Sequence, residues 1–150
     1  MRAVVQRVSE ASVLVEGEVV GQIGSGLLVF LGIAPTDTPE DRGWLAAKLV
    51  NLRVFDDDAG VMNRSVRDVV GEILLVSQFT LLASTRKGTR PSWSGAARPE
   101  FAQPEFEAFH RELQTALGRP IPTGIFGATM EIRLVNQGPV TVIVDSYLKE

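Results

Sequence analysis

The first 33 residues of the chain carry the periodicity of strands. Val13 and Val15 alternate with Leu14 and Glu16, and Gly17-Glu18 supplies a two-residue hairpin turn of the Gly-X kind. Val19 to Ile23 reads as the returning strand, and Gly24-Ser25-Gly26 turns the chain again. Leu27 to Ile33 is an unbroken apolar run, the pattern of a strand buried on both faces. The spacing then changes to that of a helix. Thr38 is placed to cap, Pro39 fits the first helical position, and Asp41 stands where a capping-box acid belongs. Leu45, Leu49 and Leu52 follow at i, i+4 and i+7 and define one apolar face.

Beyond a further predicted strand from Ile73 to Phe79, a second helix is expected to begin near Pro104. It places Phe106, Phe109, Leu113 and Leu117 on one side and stops at Gly118, with Pro120 after it. Ile132 to Val135 and Val140 to Val144 read as strands flanking Gly138-Pro139. About six strands, mostly meander-like, with two main helices describe an α+β fold, an antiparallel-rich sheet with a barrel-like core. No repeat, low-complexity tract or linker divides the chain, so residues 1–150 are expected to form a single domain.

Composition narrows the chemistry. The 150 residues include no cysteine and one histidine, His110, which excludes disulfides, thiolate ligands, thiol nucleophiles and any site needing two imidazoles. No metal site and no cofactor are expected. The longest apolar run is far shorter than a membrane span, and Arg2, Arg7 and Glu10 interrupt the N-terminal stretch where a signal peptide would be apolar. A cytoplasmic protein with no membrane partner is expected.

The net charge of −3 conceals an asymmetry. Between Ala83 and Pro99 stand Arg86, Lys87, Arg90 and Arg98 with no acid among them, leaving −7 on the rest of the chain. Trp93 lies in the same stretch. A basic, aromatic-bearing loop on an acidic body suits an anion such as a nucleic-acid backbone. From composition alone, a solvated loop balanced by nearby acids is the simpler reading.

Several familiar signatures fail on spacing. Gly24-Ser25-Gly26 opens a dinucleotide fingerprint, but Val29 stands where its third glycine belongs. Asp56 to Gly60 resembles a calcium loop until Arg67 is found in the twelfth position, so the stretch reads as a solvated turn. His110 reads as a helix-surface residue. Two stretches remain. Ser77-Gln78-Phe79-Thr80-Leu81 puts three polar side chains at the end of an apolar strand, where a rigid sheet delivers groups to a cleft. A frayed strand end would look the same. Gly138-Pro139 interrupts two β-prone runs with the one linkage that adopts cis cheaply. A hairpin corner is the plainer account of it.

Those two stretches resemble the signature motifs of the D-aminoacyl-tRNA deacylases. The loop from Lys87 to Ser92, the opening Met1 to Val8 and the run Gly124 to Met130 are similar to that family as well, so the resemblance extends over essentially the whole chain. It implies a homodimeric enzyme that cleaves the ester of D-aminoacyl-tRNA, and of glycyl-tRNA, in translation quality control. It implies a catalytic pocket containing Ser77, Gln78, Phe79 and Thr80, into which the partner subunit inserts Gly138 and Pro139 in cis for chiral selection. Phe126 and Met130 match positions lining the adenosine end, and Arg7 matches one bracing the Gly-Pro loop. The family usually has an acid before the Gly-Pro; Gln137 stands here. With this substrate, Arg86, Lys87 and Arg90 become candidate tRNA phosphate contacts.

Within such a pocket, backbone carbonyls placed where an L side chain would lie exclude it without touching a D one. The N–H groups of Phe79 and Thr80 are candidates to hold an oxyanion. Thr80 is either nucleophile or positioner, and the lack of an evident base favours the second. Two other readings stay open: a nucleic-acid-binding module without turnover, and a hydrolase of small D-amino acid esters or peptides using Thr80. No DNA partner is expected.

Overall fold

A computed structural model describes residues 1–149. Its centre is β1 (Arg2–Val15), a strand of 14 residues with neighbours on both edges. Along one edge runs β7 (Glu131–Asp145), antiparallel for its whole length. Along the other, Arg2 to Val8 pair with β3 (Gly26–Gly32), and Ala11 to Val15 pair with β2 (Glu18–Ile23). The sheet then continues through a parallel pairing of β3 with β6 (Glu72–Ser77), a departure from the expected meander. A short hairpin, β4 (Phe55–Asp56) and β5 (Met62–Arg64), stands apart. Asp57 closes its turn by accepting the N–H groups of Ala59 and Val61, so the aspartate-rich stretch is a turn, as its spacing predicts.

Irregular register at Arg7 and Ser9 of β1 lets the strand change which face it buries. Met1, Ala3 and Val5 face the helices, whereas Val8, Ala11 and Val13 join a second cluster with Leu28, Leu74 and Val76. The sheet curls into a half-barrel around that cluster. β3 contributes to both clusters through Leu27 and Leu28, which is why its sequence is continuously apolar.

α1 (Pro39–Asn51) starts with the predicted capping box: Thr38 Oγ1 accepts from the Asp41 N–H, and Asp41 accepts from the Thr38 N–H at 2.9 Å. It packs on α2 (Pro99–Leu117), and Arg42 joins them through Glu105 at 2.8 Å and Glu112 at 2.6 Å. α2 buries Ala102, Phe106, Phe109, Leu113 and Leu117 and ends at Gly118 with φ 84°.

Four expectations shift. α2 begins at Pro99, one turn and more before Pro104, because Pro99 suits the first helical position and the exposed Pro104 forfeits a single hydrogen bond. The first hairpin turns at Glu16-Gly17, both with positive φ, since a two-residue turn of that handedness matches strand twist better. β6 ends at Ser77 and gives way to a 3-10 turn over Phe79–Leu82. The two strands expected around Gly138-Pro139 are arms of the one strand β7, with the Gly-Pro bulging opposite Arg7.

Candidate active site

Ser77 is the last residue of β6 and pairs with Leu31 of β3. The Gln78 N–H extends that ladder by one bond to the Leu31 carbonyl, at 2.8 Å. The chain then tightens into the 3-10 turn. Gly32 permits this close fold-back, since a Cβ there would stand 3.1 Å from both the Gln78 carbonyl oxygen and Leu81 Cβ. As the first residues of the turn, Phe79 and Thr80 present N–H groups with no acceptor among the described residues. Gln78 Nε2 donates to Thr80 Oγ1 across the turn.

The segment after α2 runs beside the outer edge of β6. Leu75 N–H donates to Pro122 O at 3.1 Å, and Gly124 N–H returns a bond to Leu75 O at 3.2 Å. This brings Phe126, Gly127 and Met130 to the end of β6. His110 has a structural part in that placement: half-buried, it donates from Nε2 to Ile121 O at 2.7 Å, while Gln114 accepts the Ile121 N–H at 2.9 Å. The histidine is therefore engaged away from the turn and is not the free surface residue its sequence position suggests.

Two clefts open on either side of Ser77-Gln78-Phe79. The larger, about 370 Å³, lies between the turn and the start of α2, with Phe79, Trp93, Phe126, Ala97 and Arg98 among its walls. Phe79 and Trp93 meet edge to face with centroids 5.3 Å apart, and Phe126 leans on Phe106 at 5.9 Å. The smaller, about 240 Å³, is closed by Val76, Ala128, Met130 and Ile132. Phe126 and Met130 thus stand on opposite sides of the ridge, joined through Gly127, which lines both clefts. Trp93 and Arg98 were legible only as members of the basic stretch. Their place in the cleft depends on the folding of that stretch against the turn.

That stretch is a loop pinched at its base by reciprocal Ser84 and Ser92 backbone bonds of 2.9 and 2.8 Å. Arg86, Lys87 and Arg90 project from it, exposed and without an ion pair among the described residues.

Gly138 and Pro139 are not brought to Ser77 within the chain. They line neither cleft, and both are exposed. Their neighbour Arg7 pairs with Leu27, four residues along β3 from the partner of Ser77, and β1 and β3 separate β7 from β6. The Gly138-Pro139 peptide is cis. Arg7 braces it: Nε donates to Gln137 O at 3.1 Å, and Nη1 donates to Val54 O at 2.7 Å, with Asp56 3.5 Å away. Gly138 has φ 135°, and a Cβ there would lie 2.8 Å from Val140 Cγ2, so only glycine fits without strain.

The chain matches the family model described as D-Tyr-tRNA(Tyr) deacylase over residues 4–145. It is 59% identical to a D-aminoacyl-tRNA deacylase of Opitutus terrae and 56% identical to one of Dechloromonas aromatica, in each case over 100% of both chains. Among solved structures it superposes on a c-Myc DNA unwinding element binding protein with a TM-score of 0.92 and 42% identity, covering 97% of this chain and 98% of that one. A probable eukaryotic D-amino acid tRNA deacylase shares the fold at a TM-score of 0.80 and 18% identity, covering 95% and 97%.

Proposed function

The chain belongs to the D-Tyr-tRNA(Tyr) deacylase family and hydrolyses the ester of D-aminoacyl-tRNA, and from that premise we propose that the ester is held at the Ser77–Thr80 turn. The observation that carries this placement is the pair of acceptor-free N–H groups of Phe79 and Thr80 at the start of the 3-10 turn, where Phe79 lines both clefts and Thr80, which lines neither, follows it directly. Such preorganised donors stabilise an oxyanion as it forms and require no reorganisation during the reaction. Ser77 and Gln78 flank the carbonyl, and Thr80, fixed by the Gln78 amide, positions the ester. Phe126 walls the adenosine end in the larger cleft, and Met130, across the ridge, closes the smaller one. Arg86, Lys87 and Arg90 lie where an RNA strand leaving the larger cleft offers its phosphates.

The site is completed by a second copy of the chain. Gly138 and Pro139 of one protomer enter the turn of the other, where their carbonyls occupy the direction of an L side chain. Three features support this reading: the loop is exposed, it is firmly braced, and it is remote from its own turn. β7 also carries exposed Ile143 and Val135, at 63% and 49%, on the arms either side of the loop, apolar surface that a partner would cover. Glycine has no side chain to exclude, so glycyl-tRNA is accepted too. RNA rather than DNA is the partner, and the enzyme works in the cytoplasm in proofreading.

Release of amino acid from D-tyrosyl-tRNA, L-tyrosyl-tRNA and a free D-tyrosine ester tests the reading. Fast release from the first alone is expected. Equal turnover of the free ester would move the specificity away from the tRNA end, and turnover of the L form would remove the role of Gly138 and Pro139.

A further inference from the structure

Among the described residues Arg98 is the one charged side chain lining the larger cleft, whose other walls include Phe79, Trp93 and Phe126. It has no ion pair and no side-chain hydrogen bond among the described residues. Its main chain, by contrast, is fixed: the Arg98 carbonyl accepts the Phe101 and Ala102 N–H groups at 3.0 and 2.8 Å, and Pro99 follows as the first residue of α2. An unpaired guanidinium on a rigid helix start, at the edge of an aromatic cleft, is a place for a planar base carrying an anion.

On the reading that a terminal adenosine enters this cleft, we propose that Arg98 binds the phosphodiester immediately 5′ of that adenosine. The base lies among the aromatic walls, the ester reaches the Phe79 and Thr80 N–H groups, and the remaining anchor of a 3′-terminal nucleotide is its single 5′ phosphate. Arg98 recognises a nucleotide where the aromatic walls alone would recognise a nucleoside. It thereby fixes the ribose from the side opposite the ester. Arg86, Lys87 and Arg90 project from the exposed loop and fall to phosphates further along the strand.

The test compares adenosine with adenosine 5′-monophosphate as ligands of the whole protein, by titration calorimetry. Wild type should bind the monophosphate about tenfold more tightly, the scale of one charge-assisted hydrogen bond. Arg98→Ala should reduce that ratio to near one, and Arg98→Lys should restore part of it. On D-aminoacyl-tRNA, Arg98→Ala should raise KM severalfold with a much smaller change in kcat. A monophosphate preference unchanged in Arg98→Ala, abolished equally in Arg90→Ala, or absent from wild type would overturn the assignment. Binding is read independently of turnover, so a protein inert toward D-aminoacyl-tRNA would instead count against the functional reading.

Discussion

Arg7 Nε donates to the main-chain carbonyl of Gln137 at 3.1 Å, so the segment entering Gly138-Pro139 is held by its backbone and not by its side chain. The exchange of the usual acid for Gln137 therefore leaves the brace intact. Asn136 reinforces it, its Nδ2 donating to Arg7 O and to Val140 O at 3.0 Å each. Arg7→Ala should remove two charge-assisted bonds, each worth about 1.5–3 kcal/mol, and free the loop. We expect kcat/KM for D-tyrosyl-tRNA to fall tenfold or more and discrimination against L-tyrosyl-tRNA to weaken, whereas Gln137→Ala should stay within about twofold of wild type. Single-turnover deacylation of both substrates reads this directly, and a larger loss in Gln137→Ala than in Arg7→Ala would reverse the roles.

The α-ammonium of Met1 is buried against Asp37 and donates to Ser146 Oγ at 2.7 Å, while the other Asp37 oxygen accepts the Ala34 N–H at 2.7 Å. The two ion-pair partners are fully inaccessible. Removing one member of a buried pair leaves the other charged and unpaired, a cost of about 3–5 kcal/mol. Asp37→Ala should therefore lose a large fraction of the folding free energy in urea titrations and melt roughly 10 °C lower. A loss under about 1 kcal/mol would mean that water reaches the ammonium.

Much of this architecture is present as local pattern. The Thr38-Pro39-Glu40-Asp41 start of α1, the buried run of β3, the apolar face of α2 and the stop at Gly118 each follow from forces acting within a turn or two of chain. What escaped is what depends on distant partners. The parallel seating of β6 on β3 has no local signature, because the apolar runs Leu27–Leu31 and Ile73–Val76 mark burial on both faces without marking strand direction. The tightening after Ser77 depends on Gly32, far earlier in the chain, leaving room for the turn. Trp93 and Arg98 become cleft walls only when the basic loop folds against Phe79 and α2. Resemblance singled out the Ser77–Thr80 stretch as a candidate site and the Gly138-Pro139 peptide as cis, which it is; elementary patterning alone reached no further than a polar strand end and a hairpin corner.

Acid should unfold the protein through particular carboxylates. Burial opposes ionisation of Asp145, but the bonds from Arg2 Nε at 2.8 Å and from the Tyr147 N–H at 2.9 Å outweigh it and hold the group below the ordinary aspartate range. The Thr38 hydroxyl lowers Asp41 likewise. With folded values depressed, the stabilisation is complete above the unfolded value of about 3.9 and vanishes as pH falls through the folded value. Melting midpoints should be nearly level from about pH 5.5 to 8 and drop steeply below about pH 4. Asp145→Asn should melt lower at neutral pH and show a shallower acid limb; parallel acid limbs would assign the acid sensitivity elsewhere.

The exposed loop should act on affinity and not on chemistry. Arg86→Ala, Lys87→Ala and Arg90→Ala each remove one exposed cation with no ion pair among the described residues, so folding should be untouched. Each should raise KM for D-aminoacyl-tRNA and reduce the slope of log affinity against log salt by about 0.7–0.9 for every phosphate that is no longer neutralised. A salt slope equal to wild type in all three would place the tRNA backbone elsewhere.

Thr80 lacks a base. Its hydroxyl accepts from the Gln78 amide, which cannot take a proton at neutral pH, and His110, which lines neither cleft, is committed to Ile121 O at 2.7 Å. With the ester placed at this turn as proposed, the chain offers N–H donors for the oxyanion and a fixed hydroxyl, and the described residues give Thr80 no hydrogen-bonded base to activate water. The substrate carries one: the ribose 2′-OH beside the ester, able to donate and accept. Orientation by the clefts and donation by the Phe79 and Thr80 N–H groups can each supply several kcal/mol of barrier lowering, leaving the 2′-OH to position or activate the attacking water. A tRNA ending in 2′-deoxyadenosine, charged on its 3′-OH with a D-amino acid, should bind nearly as well as the ribose form. Its single-turnover hydrolysis should be slower by two orders of magnitude or more, a larger loss than that of Thr80→Ala on the natural substrate. Equal rates on the deoxy and ribo substrates would return Thr80 to the role of nucleophile.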